Sequence, residues 1–170
     1  MFKIQFAKVN ENAIIPTKND ENAGWDVYAC FDENHILIEP HETKLIPTGI
    51  ASIIPEDKAF IAKERGSTGS KGMALRCGVI DSSYRGEWFI AITNTTEKIV
   101  AIVKDEEKLP LYLTKYHGKD KVIIYPYTKA IAQVILVPVF NDYEQEEITF
   151  EELQQNKTQR GNGALGSSGK

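Results

Sequence analysis

The sequence predicts an all-β protein, a sandwich or a barrel. Three observations lead there. Short runs rich in apolar and β-branched residues recur along the chain, Gly- and Pro-rich turns separate them, and no long segment keeps a helical period.

Residues 2–9 alternate apolar and polar in part, as a half-buried strand does. Residues 25–29, 36–38, 44–46, 50–54 and 59–62 follow as short strands. Residues 88–93, 99–103, 121–125 and 131–140 complete the set. Pro40 and residues 47–49, 55–57, 66–72 and 82–86 supply the turns. Helix signals are few. Residues 67–71 are long enough for one turn, and Thr149 with Glu152 reads as a capping box. The expected organisation is a β domain over 1–153 and a polar Gly/Ser-rich arm over 154–170, mobile on its own. Within the domain, 95–128 is rich in Lys, Glu and Tyr and interrupts the strand rhythm, so it reads as an inserted surface hairpin.

Composition narrows the function. Hydrophobic residues at 42% suffice for a core, and a net charge of −4 gives no global attraction to nucleic acid or an anionic membrane. Any polyanion site needs local cations or a metal. Cys30 and Cys77 have no metal-ligand spacing and predict free thiols in a reducing cytoplasm. The first residues carry Lys3 and Lys8 without an apolar core, unlike a signal peptide. The longest apolar run, 130–140, holds Gln133 and Pro138 and is too short to span a bilayer.

Four segments could carry chemistry. GVIDSSYRGEW (78–88) places Asp81 after an apolar pair and before a turn, where it could activate water or simply cap the turn. RGSTGSKG (65–72) packs two cations, three hydroxyls and three glycines into eight residues. Successive backbone N–H groups there can cradle an anion, although a flexible surface turn is an equal reading and the Walker spacing is absent. Asp26 sits inside an otherwise apolar strand, which is costly unless it is paired or near a metal. In the tail, Arg160 and closely spaced glycines could wrap phosphates, or form a solvated terminus.

Together these segments resemble the five ordered motifs of the trimeric dUTPase family, the deoxyuridine triphosphate nucleotidohydrolases. AGWDVYA (23–29) resembles the first, ERGSTGSKG (64–72) the second, GVIDSSYRGEW the third, AIAQVILVPV (130–139) the fourth and RGNGALGSSG (160–169) the fifth. The resemblance implies a jelly-roll-like (β-clip) fold and a homotrimer with swapped C-terminal arms and active sites at subunit boundaries. It implies hydrolysis of dUTP to dUMP and pyrophosphate with Mg²⁺, which limits uracil in DNA and supplies dUMP. Asp81 then matches the carboxylate that deprotonates water, and Asp26 matches the residue that holds metal-bound waters. Tyr84 matches the aromatic beneath the deoxyribose. Leu75, Gly78, Val79 and Ile80 lie in the hairpin whose backbone reads uracil. Arg65, Gly66, Ser67, Gln133 and Arg160 fall where the family grips phosphates, and Leu165, Gly166, Ser167 and Ser168 fall on the closing arm.

The chain departs from the family pattern at three places. Gly66 stands where Ser usually follows the Arg of the second motif, Ala130 where the fourth motif usually has Arg, and Leu165 where the fifth usually has Phe. Lys129 offsets the missing Arg imperfectly, because an ammonium lacks the bidentate fork. A dCTP deaminase would need a Glu where this chain has Ala91. Some phage-type members resemble this layout and bind regulatory proteins through an inserted segment, so 95–128 is a candidate partner surface.

Overall fold

The computed structural model of the chain describes residues 2–109, 121–159 and 161. They fall in two compact units, Met1–Val139 and Phe140–Lys170. The break therefore comes earlier than the expected 153. The apolar strand pattern ends at Pro138, and residues 140–149 carry no regular structure and are exposed.

The first unit is β-rich, as the sequence predicts. Its strands are β1 (Gln5–Lys8), β2 (Gly24–Val27), β3 (His35–Ile38), β4 (Thr43–Pro47), β5 (Ile50–Ile53) and β6 (Lys58–Lys63). A one-turn helix α1 (Gly66–Gly69) follows, then β7 (Met73–Leu75), β8 (Val79–Asp81), β9 (Phe89–Asn94), β10 (Ile99–Val103), β11 (Val122–Pro126) and β12 (Ala132–Pro138). Among the described residues four sheets form, with strand orders β1-β5, β11-β10-β3, β2-β12-β6-β8 and β4-β9-β7. Their inner faces share one core, in which Phe60, Trp88, Ile38, Ile90 and Tyr125 are fully buried. Each large apolar side chain buried this way contributes roughly 1.5–3 kcal/mol. Phe60 also meets Trp88 edge-on at 5.5 Å between ring centroids, which fixes the wall behind the strand bearing Asp81.

Two expectations change. Among the described residues of 95–128, the two strands β10 and β11 do not pair as a hairpin. β10 and β11 pair in parallel, with Ile99 opposite Val122, and parallel neighbours need a crossover rather than a tight turn. β10 is buried along its whole length. Val100 and Ile102 enter the main core, while Ile99, Ala101 and Val103 pack in a second cluster with Leu109. Burial on both faces is why IVAIV reads as a continuous apolar run instead of an alternating one. The second change concerns β7 and β8, which are too short for their patterns to register in the sequence. They do not pair with each other: β7 pairs with β9, and β8 with β6.

In the second unit, helix α2 (Phe150–Gln155) starts where the capping box predicts. Thr149 Oγ1 accepts from the Glu152 amide at 3.2 Å, and the Glu152 carboxylate accepts from the Thr149 amide at 2.7 Å.

Candidate active site

Asp81 ends β8, paired in register with Ala59 of β6. Its backbone carbonyl accepts from the Tyr84 amide at 3.1 Å, so backbone closes the turn after it. The Asp81 carboxylate is exposed and meets no side-chain or ion-pair partner among the described residues. It is therefore not spent as a turn cap.

Beside it opens a cavity of about 250 Å³, lined by Ala62, residues 77–81, Tyr84 and residues 87–90. Gly78, Val79 and Ile80 line it, whereas Leu75 does not. The separation of β7 from β8 explains this. The Arg76 amide donates to the Ala91 carbonyl at 2.9 Å, and the Gly78 carbonyl accepts from Ala62 at 2.8 Å. The chain thus crosses from one sheet to another at Cys77, and the expected hairpin is a sheet-switching strap. The Leu75 amide is instead held by the Glu64 carboxylate at 2.9 Å, and that bond lowers the Glu64 carboxyl below its ordinary pKa. Burial raises the pKa of the Cys77 thiol at the cavity wall.

Tyr84 borders the cavity, and its hydroxyl donates to the Glu87 carbonyl at 2.9 Å. Gly86 makes that position possible. A Cβ there would lie 2.5 Å from the tyrosine oxygen and 2.7 Å from the ring carbon bearing it. Glu87 in turn accepts from the Gly49 amide at 2.7 Å and ties the turn to the body of the unit.

A second, polar concavity of about 380 Å³ is lined by residues 22–24, Asp26, residues 65–67 and Gln133. Asp26 of β2 and Gln133 of β12 are register partners, and Gln133 also faces Lys63 of β6. Arg65, just before α1, grips Asp26 through both forks. Nε lies 2.8 Å from one carboxylate oxygen, and a terminal nitrogen donates to the other at 3.0 Å. The costly Asp26 in an apolar strand is thereby paired. Thr68, fully buried, holds the Arg65 backbone: its hydroxyl accepts from the Arg65 amide and donates to the Arg65 carbonyl, each at 3.0 Å. Ser67 Oγ lies 3.4 Å from the Arg65 guanidinium. Gln133 donates to the Glu64 carbonyl at 2.8 Å and packs so close to Gly24 that a Cβ there would meet its side-chain oxygen at 2.9 Å. At Gly66, by contrast, a Cβ would meet nothing, so the missing serine leaves open space.

Asp26 and Arg65 thus form one bidentate pair. Ala130 is buried, and its carbonyl accepts from the Tyr125 hydroxyl at 2.7 Å. Arg160, Leu165, Gly166, Ser167 and Ser168 lie outside the described residues. Sequence reasoning missed Gly24, Glu64, Gly86 and Tyr125. The first three lie inside the quoted motifs, and that membership was their only signal. No cluster of three His, Cys, Asp or Glu side chains suited to a metal occurs among the described residues.

The dUTPase family model matches residues 10–107, more than half of the chain and all of the segment from Asp26 to Tyr84. The chain belongs to the dUTPase family. Along its whole length this dUTPase is similar to the deoxyuridine 5'-triphosphate nucleotidohydrolases of Clostridioides difficile (30% identical, covering 99% of each chain) and Nautilia profundicola (31%, 99% of each). Solved structures share the fold. A Staphylococcus bacteriophage 80alpha dUTPase mutant with dUpNHpp superposes with a TM-score of 0.72 at 23% identity, covering 99% of each chain. The equine infectious anaemia virus dUTPase gives 0.63 at 20%, covering 92% of this chain and 100% of that one.

Proposed function

We propose that this dUTPase hydrolyses dUTP to dUMP and pyrophosphate, with Asp81 as the general base. The observation that carries the assignment is an exposed carboxylate, without a side-chain partner among the described residues, at the mouth of a cavity walled by Tyr84. Asp81 orients a water in line with the α-phosphorus and takes its proton as the new P–O bond forms. The bond to the bridging oxygen breaks, and the leaving pyrophosphate carries away the electron pair. Arg65 and Arg160 stabilise that charge, while Ser67 and Gln133 orient the chain of phosphates. Gly78, Val79 and Ile80 read uracil in the narrow strap, and Tyr84 leaves no room for a 2′-hydroxyl. Leu165 with Gly166, Ser167 and Ser168 closes the site.

A phage phi11 dUTPase has been described with a structural Mg(II) ion. In this chain Asp26 would hold such an ion through water. Each carboxylate oxygen engaged by Arg65 keeps a second acceptor direction, so the pair is compatible with hydrated Mg²⁺. The ion would neutralise phosphate charge.

The two concavities share no lining residue, and their key residues map to opposite ends of β6. Asp81 pairs with Ala59, and Gln133 with Lys63, four rises or about 13 Å away. That separation supports a homotrimer in which neighbouring copies complete each site. Two free cysteines suit a reducing cytoplasm. No helix among the described residues is long and apolar enough to cross a membrane. A regulatory protein contact through 95–128 would not use β10, which is buried along its length. Deaminase chemistry lacks its acid–base group, since Ala91 lies buried in β9.

The test is pyrophosphate release from dUTP, UTP, dCTP and dTTP with Mg²⁺. Activity on dUTP alone is expected. Ammonia release from dCTP would overturn the reading.

A further inference from the structure

We propose that Tyr125, which lies outside every expected site position, is a positioning residue that fixes Ser67 and the start of β12 for the triphosphate. The inference rests on the phosphate-binding reading of Ser67 given above. Tyr125 belongs to β11, the strand that the sequence grouped with an insertion. The strand's alternation turns Ile123 and Tyr125 toward the main core and Val122 and Ile124 toward the second cluster. Tyr125 is fully buried there. Phenylalanine would fill nearly the same volume without the cost of burying a hydroxyl, so the tyrosine's distinguishing contribution is its oxygen.

That oxygen donates to the Ala130 carbonyl at 2.7 Å and lies 3.4 Å from Ser67 Oγ. A phenol carries one proton. With that proton on Ala130, Tyr125 can only accept from Ser67, so the serine hydroxyl is the donor of that long contact. Ser67 in turn accepts from the Arg65 guanidinium at 3.4 Å. The bonds run in one direction, from Arg65 through Ser67 and Tyr125 to the Ala130 carbonyl. They join the start of α1 to the residue that leads into Ala132 and Gln133. Both phosphate-facing segments therefore take their spacing from one buried hydroxyl. An arriving phosphate draws the Ser67 proton outward, while Tyr125 keeps Ala130 in place.

Tyr125→Phe removes the hydroxyl while keeping the core volume, and Ser67→Ala breaks the contact from the solvent side. Calorimetric titration with dUpNHpp and with dUMP is run on both variants and on the double variant, with Tm read on the same preparations. Tyr125→Phe is expected to weaken dUpNHpp about three- to tenfold, the worth of one hydrogen bond, while dUMP changes less than about twofold. In the double variant the two losses should combine to less than their product, because one of the two routes from Tyr125 runs through Ser67. Two results overturn the proposal while leaving the phosphate reading intact. One is a lower Tm for Tyr125→Phe with unchanged dUpNHpp affinity. The other is losses from the two changes that multiply. Unchanged affinity in Ser67→Ala overturns both readings.

Discussion

At one end of the β unit the Asp81 carboxylate stands exposed beside a small, partly apolar cavity. At the other, the Asp26 carboxylate is clasped by both forks of Arg65 within a polar hollow. The first carboxylate is available for proton transfer because the turn beside it is closed by backbone. The second is committed to holding a cation in place. Two acidic residues in similar strands thus receive different tasks from their neighbours, and neither task can be read from the residue alone.

The largest effect should come from the free carboxylate. Asp81→Asn keeps shape and hydrogen-bonding capacity but cannot take a proton, so kcat on dUTP should fall about 10²- to 10⁴-fold with little change in KM. Steady-state pyrophosphate release checks this, and equal activity would remove Asp81 from its role.

Next is Gly86→Ala, which forces Tyr84 out of its place. Overpacking of this kind costs about 1–3 kcal/mol, so kcat/KM for dUTP should drop about ten- to a hundredfold. The preference for dUTP over UTP should narrow at the same time. Unchanged discrimination would show that Tyr84 does not guard the 2′ position.

Asp26→Asn sharpens the comparison through a sign. If Asp26 served only a metal, removing its negative charge would tighten metal-free binding of an anionic nucleotide. Because the carboxylate also orients Arg65, dUpNHpp affinity in EDTA should weaken about three- to tenfold. Titration calorimetry without Mg²⁺ distinguishes the two.

The smallest effect concerns Glu64, whose folded-state pKa is lowered by the Leu75 amide. A lowered pKa stabilises the fold above the unfolded value, roughly 4.3, and that contribution disappears as pH falls through the folded value. Wild type and Glu64→Gln should therefore differ modestly in Tm at pH 7 and converge in acid. Melting curves from pH 7 to pH 3 check it.

Much of this was legible in the sequence because the signals were local. Strand patterns such as KAFIAK in β6, the Thr149 capping box, the motif around Asp81 and the loop after Glu64 each declare themselves within a few residues. What was not legible depends on pairing across the chain. IVAIV reads as part of an insertion until its burial on both faces is known. Residues 75–80 read as a hairpin until their partners, β9 and β6, are known. The Asp26–Arg65 pair spans 39 positions, and the Tyr125–Ser67 contact spans 58. No local pattern announces either. Tyr125 in particular looks like any strand aromatic until its hydroxyl is traced to Ala130.

Under the proposed function, the Asp81 end and the Arg65 end form a working site only across copies. Mixing two inactive variants, Asp81→Asn and Arg65→Ala, after joint unfolding and refolding tests it directly. Hybrid sites can then draw Asp81 from one chain and Arg65 from another. The mixture is expected to regain dUTP hydrolysis, to roughly a quarter of the wild-type rate at equal proportions. A mixture as inactive as either variant alone would contradict it.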